Sequence, residues 1–107
     1  MQSIAVAAIT VTLTALASSG PACADANDAL MQKSGCTACH AVEKKIVGPA
    51  FRDVAAKYKG DAGAPAKLAK KVKEGGAGVW GPVPMPPNSQ VSDADIKTLI
   101  AYILGVQ

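Results

Sequence analysis

The sequence predicts an all-α domain of four to five short helices wrapped around one covalently bound, flat prosthetic group. Three observations predict it. The stretch Cys36-Thr37-Ala38-Cys39-His40 reads C-x-x-C-H, the attachment sequence for c-type haem. The 107 residues hold few large side chains, with Phe51, Tyr58, Trp80 and Tyr102 the only aromatic ones. A small domain so poor in bulky residues struggles to bury enough surface for stability, and a haem would supply the missing apolar core. Finally, apolar periodicity is helical wherever it is regular, and no convincing strand is legible.

The motif has a chemical reason. Residues three apart on a helical turn are neighbours on one face, so Cys36 and Cys39 can both reach the vinyl groups along one haem edge. His40 is then placed to offer an imidazole nitrogen to the iron as proximal ligand. Thr37 and Ala38 are small and leave room for the macrocycle. Two blander readings of a C-x-x-C pair are weaker. A closed zinc site needs four ligands, yet His40 is the only His and Cys23 the only other Cys. A thioredoxin-like redox pair needs βαβ units, for which no strands are evident.

Length bounds the chain to one small domain. The formal charge is +3 with His neutral, and the basic residues are scattered. That balance is too mild to argue for nucleic acid.

Residues 1–24 read as a cleaved signal peptide and residues 25–107 as the mature domain. None of the 11 basic and 8 acidic residues precedes Asp25. Ile4 to Ala17 is apolar apart from three Thr residues, which is right for a signal-peptide core and short for a membrane span. Ser18-Ser19-Gly20-Pro21 breaks the run, and Ala22-Cys23-Ala24 fits an A-x-A cleavage site. The first residues carry no Lys or Arg, an irregular feature for a leader. An N-terminal membrane anchor and a lipid on Cys23 are the competing readings. Export and haem attachment both place the protein outside the cytoplasm, in a bacterial periplasm, with no membrane contact after cleavage.

In order along the mature chain, Asn27 or Asp25 is expected to cap a helix running to about Lys33, with Gly35 at its C′ position. The haem-binding turn follows. Val47-Gly48-Pro49 is a loop, and either an ordinary turn or the backbone acceptor for the second N–H of the His40 imidazole. Phe51, Val54, Ala55 and Tyr58 follow i, i+3, i+4, i+7, which predicts a helix over 50–58, ended by Gly60. Pro65 opens the next helix, with Leu68, Ala69 and Val72 as its narrow apolar stripe. Lys67, Lys70, Lys71 and Lys73 cover its other side. They form either a solvated face or, with Lys33, Lys44 and Lys45, a surface steering an acidic partner.

Gly75 to Gln90 is rich in Gly and Pro, which excludes regular helix over most of it. It is too apolar for a solvated linker, and a haem face would give it something to lie on. Ser92 then caps the last helix, in which Ile96, Leu99, Ile100, Ile103 and Leu104 give the clearest periodicity of the chain. Gly105 ends this helix, which is expected to pack on the N-terminal one.

The sixth iron ligand decides between a carrier and an open-site protein. No second His exists. Met31 sits on a short helix whose apolar side should be core. Met85 lies 45 residues after His40, far enough for the chain to wrap round the ring edge. Flanking prolines limit its backbone freedom. Met85 is therefore the predicted ligand, with core filler as the alternative. A soft thioether favours ferrous iron and blocks substrate access to the metal.

Together, Cys36-Thr37-Ala38-Cys39-His40, Val47-Gly48-Pro49-Ala50-Phe51 and Gly78-Val79-Trp80-Gly81-Pro82-Val83-Pro84-Met85-Pro86-Pro87-Asn88 resemble the small bacterial class I cytochromes c of the cytochrome c-551 type. The likeness covers essentially all of residues 25–107. It implies a class I cytochrome c fold around one haem c, bound covalently through Cys36 and Cys39, with His40 and Met85 on the iron. It also implies the Pro49 carbonyl as acceptor from His40, the Trp80 indole N–H near a propionate, and Asn88 beside the Met85 sulfur. Lys71 stands where relatives often carry an Arg on a propionate, a point charge in place of a planar fork. The function implied is a soluble monomeric electron carrier and not an enzyme. Its partners would be an upstream donor and a terminal reductase, such as nitrite reductase, or an oxidase. The rival readings are a haem subunit of an oxidoreductase complex and an open-site haem sensor or peroxidase.

Overall fold

The computed structural model describes residues 22–107. All but the last three residues of the expected leader lie outside that range. Four α-helices form: α1 Ala22–Lys33, α2 Phe51–Lys57, α3 Ala64–Glu74 and α4 Asp93–Leu104. A 3-10 turn over Cys36–Ala38 carries the haem motif. Two short strands, β1 Gly76–Gly78 and β2 Gly81–Met85, pair antiparallel between α3 and α4.

α4 is the hub. It packs against α1, as expected, and also against α2 and most extensively α3. Its periodic residues Ile96, Leu99, Ile100 and Ile103 are all buried, and they join Met31, Phe51, Val54, Leu68 and Val91 in one core. Ser92 caps the helix by accepting from the Asp95 N–H at 3.1 Å. The Met31 thioether is committed to this core, with 2 % of its surface exposed.

Two expectations need correction. Neither Asp25 nor Asn27 caps α1, because the helix runs on through both to Ala22, and Ala22, Cys23 and Ala24 pose no barrier to helix. The Gly/Pro-rich segment is not irregular throughout. It forms a hairpin whose register pairs Gly76 with Met85 and Gly78 with Gly81. Glycines at positive φ (Gly76, Gly78 and Gly81) allow that path, so the pairing leaves no β-branched alternation to read. The α3 lysines lie on the solvated face, and three of the four have acidic partners. Lys67 pairs with Asp61 at 2.8 Å, Lys73 with Asp93 at 3.2 Å, and Lys70 approaches Glu74 at 4.0 Å. Lys73 also donates to the Val91 carbonyl at 2.9 Å, which ties α3 to the entry of α4.

Among the described residues no helix is long and apolar enough to cross a membrane.

Candidate haem site

The turn after α1 places the cysteines. Gly35 takes φ 78°, the left-handed conformation that lets the chain leave α1 and enter the 3-10 turn at once. The Cys39 and His40 N–H groups both donate to the Cys36 carbonyl, at 3.2 and 2.9 Å. Both thiols are free and half-buried. Burial pushes the Cys36 thiol up from its ordinary value.

The loop that follows folds back over His40. Gly48 N–H donates to the Cys39 carbonyl at 2.8 Å, and the Phe51 and Arg52 N–H groups to Ala41 and Val42, each at 3.0 Å. The His40 Nδ1–H donates to the Pro49 carbonyl at 2.8 Å. That bond fixes the tautomer and leaves Nε2 free to meet a metal. Phe51, the first residue of α2, stacks on the imidazole with ring centroids 5.1 Å apart and planes inclined by 18°.

The hairpin supplies the other named residues. Trp80 sits in its two-residue turn, with the Lys57 ammonium 5.6 Å from the ring centre. Met85 ends β2. Gly75, at φ 73° and ψ −165°, lets the chain leave α3 and pass close beneath Met85 and Pro87. Asn88 closes the segment: its N–H donates to the Val72 carbonyl at 2.9 Å. Its side-chain amide donates to Val72 and Pro86 carbonyls at 3.2 and 3.1 Å. Both amide protons are thereby used on backbone.

Cys36, Cys39, His40, Pro49, Trp80, Met85 and Asn88 all line one cavity of about 460 Å³, whose remaining walls include Val54, Leu68, Leu99, Ile100 and Ile103. The volume suits a sizeable ligand. Apolar surface that the chain does not cover with its own side chains gathers at this cavity. Val47, Val79, Trp80 and Val83 are exposed and line it, and exposed Ile46 adjoins Val47. Among the described residues no three His, Cys, Asp or Glu side chains converge to hold an ion directly. The thiols and the imidazole instead face a shared apolar space, which fits a large flat group bound at its edge and at its metal. Sequence reasoning missed Gly48, whose lack of a side chain matters for reasons only the fold reveals, and Gly75, which read as the start of a Gly/Pro-rich stretch.

The family model for cytochrome c matches residues 24–107. The chain is 64 % identical over 77 residues to cytochrome c-551 of Allochromatium vinosum, covering 72 % of this chain and 82 % of the relative. It is 53 % identical over 98 residues to cytochrome c-552 of Nitrosomonas europaea, covering 92 % and 93 %. The crystal structure of Nitrosomonas europaea cytochrome c552 superposes with a TM-score of 0.73 at 52 % identity, over 75 % of this chain and 99 % of that one. With the helical fold and the cavity already described, these findings establish that the chain belongs to the cytochrome c family, as a small class I electron-carrying member of the cytochrome c-551 type with one covalently attached haem c.

Proposed function

We propose that the chain is an exported, periplasmic electron carrier whose haem iron is ligated by His40 and Met85. Residues 1–24 are removed as a signal peptide, and residues 25–107 remain as a soluble monomer. Cys36 and Cys39 would hold the haem covalently, each as a thioether to one of its two vinyl groups. His40 presents Nε2, with its other nitrogen held by Pro49. Met85 would present its thioether from the hairpin and close the iron to small molecules. Trp80 offers its indole N–H to a propionate. Asn88 acts on Met85 through the backbone, since its amide protons go to Val72 and Pro86. The haem supplies the one-electron Fe(II)/Fe(III) couple. Partners are an upstream donor and a terminal reductase, such as nitrite reductase, or an oxidase. Lys45 and Lys71, which line the cavity and have no ion-pair partner among the described residues, with Lys44 next in the chain, give the docking face its positive charge.

The observation that carries this reading is the meeting of Cys36, Cys39, His40 and Met85 on one apolar cavity while Met31 lies buried in the core. The test is a pair of substitutions. Met85→Ala lowers the reduction potential and lets the ferrous protein bind carbon monoxide. Met31→Ala leaves both properties in place and costs stability alone, about 2–5 kcal/mol for a buried methionine. Equal potentials in Met85→Ala and the parent would remove Met85 from the iron.

A further inference from the structure

We propose that Gly48 and Phe51 are positioning residues that together fix the orientation of the His40 imidazole plane. The inference rests on His40 being an iron ligand. The bond from Nδ1 to Pro49 at 2.8 Å pins one edge of the ring but leaves it free to rock about that edge. Phe51 limits the rocking along the face, stacked at 5.1 Å with an 18° tilt. Gly48 limits it over the Cε1 edge. A Cβ at Gly48 would lie 2.9 Å from both Nδ1 and Nε2 and still nearer to Cε1, inside any distance real side chains adopt.

The reason for glycine at position 48 is therefore space. Gly35, Gly60, Gly75, Gly76, Gly78 and Gly81 have positive φ, but Gly48 does not, so no left-handed backbone calls for glycine there. The loop is also held where it is. Gly48 N–H is bound to the Cys39 carbonyl at 2.8 Å and its own carbonyl accepts from Ile46 at 3.2 Å. A backbone so tethered, directly against the ring, acts as a wall. Residues 48–51 thus supply an edge wall, a hydrogen-bond acceptor and a stacking face to one side chain. The plane of an axial imidazole sets how its π system overlaps the iron d orbitals, and hence the magnetic anisotropy of the ferric state.

The experiment uses the holoprotein labelled with 15N-histidine, which reports His40 alone because the sequence has a single His. Ferric electron paramagnetic resonance and the hyperfine-shifted imidazole signals are recorded for the parent, Gly48→Ala, Phe51→Leu and Gly60→Ala. Gly60→Ala is the control, since a Cβ there meets nothing within 4 Å and only its positive φ of 79° is strained. Gly48→Ala is expected to move the g-values and the imidazole shifts. Phe51→Leu, which keeps apolar bulk but removes the stacking face, is expected to move them less, and Gly60→Ala to leave them in place. If Gly48→Ala yields no holoprotein, Phe51→Leu decides. Unmoved g-values and imidazole shifts in the variants, with only a lower melting temperature, would overturn the proposal and leave both residues as packing. A parent protein whose imidazole signals carry no hyperfine shift would overturn it differently, by removing His40 from the iron.

Discussion

The loop that carries His40 and the hairpin that carries Met85 wall the same cavity, yet they are held in different ways. The His40 loop is tied by backbone hydrogen bonds from Gly48, Phe51 and Arg52, and it runs directly into Ala50 and Phe51, which are 1 % and 5 % exposed. Its imidazole is fixed by the protein's own atoms. The hairpin has no residue in the core cluster, and β1 is exposed throughout. It meets the helices mainly at its two ends, through Gly75 at the close of α3 and Asn88 on Val72. The His40 side chain is therefore organised by the polypeptide, whereas Met85 sits on a segment held mainly at its ends. Segments with few buried contacts are the ones that open first. With Met85 as the proposed second ligand, its side is where the bond to iron would be lost first under stress.

The largest effect on this contrast is expected from Gly75→Ala. At φ 73° and ψ −165° the backbone occupies a region open almost only to glycine. A Cβ there would also sit 2.8 Å from the Pro87 nitrogen and against the Met85 carbonyl. The substitution should cost at least about 1–3 kcal/mol in strain and shift the hairpin that presents Met85. Denaturant unfolding would measure the stability, and the reduction potential should fall with it. A variant with unchanged potential would mean that the hairpin is held by more than its ends.

Asn88→Ala should act more gently. It removes two hydrogen bonds to carbonyls, worth about 1–2 kcal/mol together, while leaving the Asn88 N–H on Val72. Thermal unfolding should shift down, and the sulfur–iron bond should survive at neutral pH. Loss of that bond in Asn88→Ala would instead favour a direct contact from Asn88 to the sulfur.

The smallest effect belongs to a site remote from both walls. The Lys67 ammonium, and after it the Gly63 N–H, hold the Asp61 carboxyl below its ordinary value. Folded Asp61 binds its proton less readily than unfolded Asp61 does. Its contribution is thus present above the usual carboxylate value and is lost as pH falls through the lowered folded value. Asp61→Asn should flatten the acid limb of the stability curve slightly, in an exposed pair screened by salt. Its reduction potential should match the parent's.

Much of this arrangement was legible in the sequence, because it rests on local spacing. The C-x-x-C-H turn, the Phe51–Tyr58 stripe and the Ile96–Ile103 stripe of α4 are patterns within one element, and the buried positions of the two helices follow their stripes. The illegible parts depend on partners distant in sequence or on absent atoms. Lys73 reads as surface charge until Asp93, on the next helix, is seen beside it. The strands have no alternating β-branched residues, because their pairing relies on glycine backbone freedom. Asn88 reads as a neighbour of Met85, and only the fold reveals that its donors go to carbonyls. Gly48 looks like any loop glycine until the imidazole is found where its side chain would be.

The central claim is that Met85, on the less firmly held wall, completes the iron coordination begun by His40. Optical spectroscopy of the unmodified holoprotein tests it most directly. The ferric form at neutral pH should show the weak charge-transfer band of a thioether bound to iron, and the ferrous form should resist carbon monoxide. A ferric spectrum without that band, together with ready carbon monoxide binding in the ferrous state, would contradict the account. The iron would then be open, and the chain would be a sensor or a catalyst.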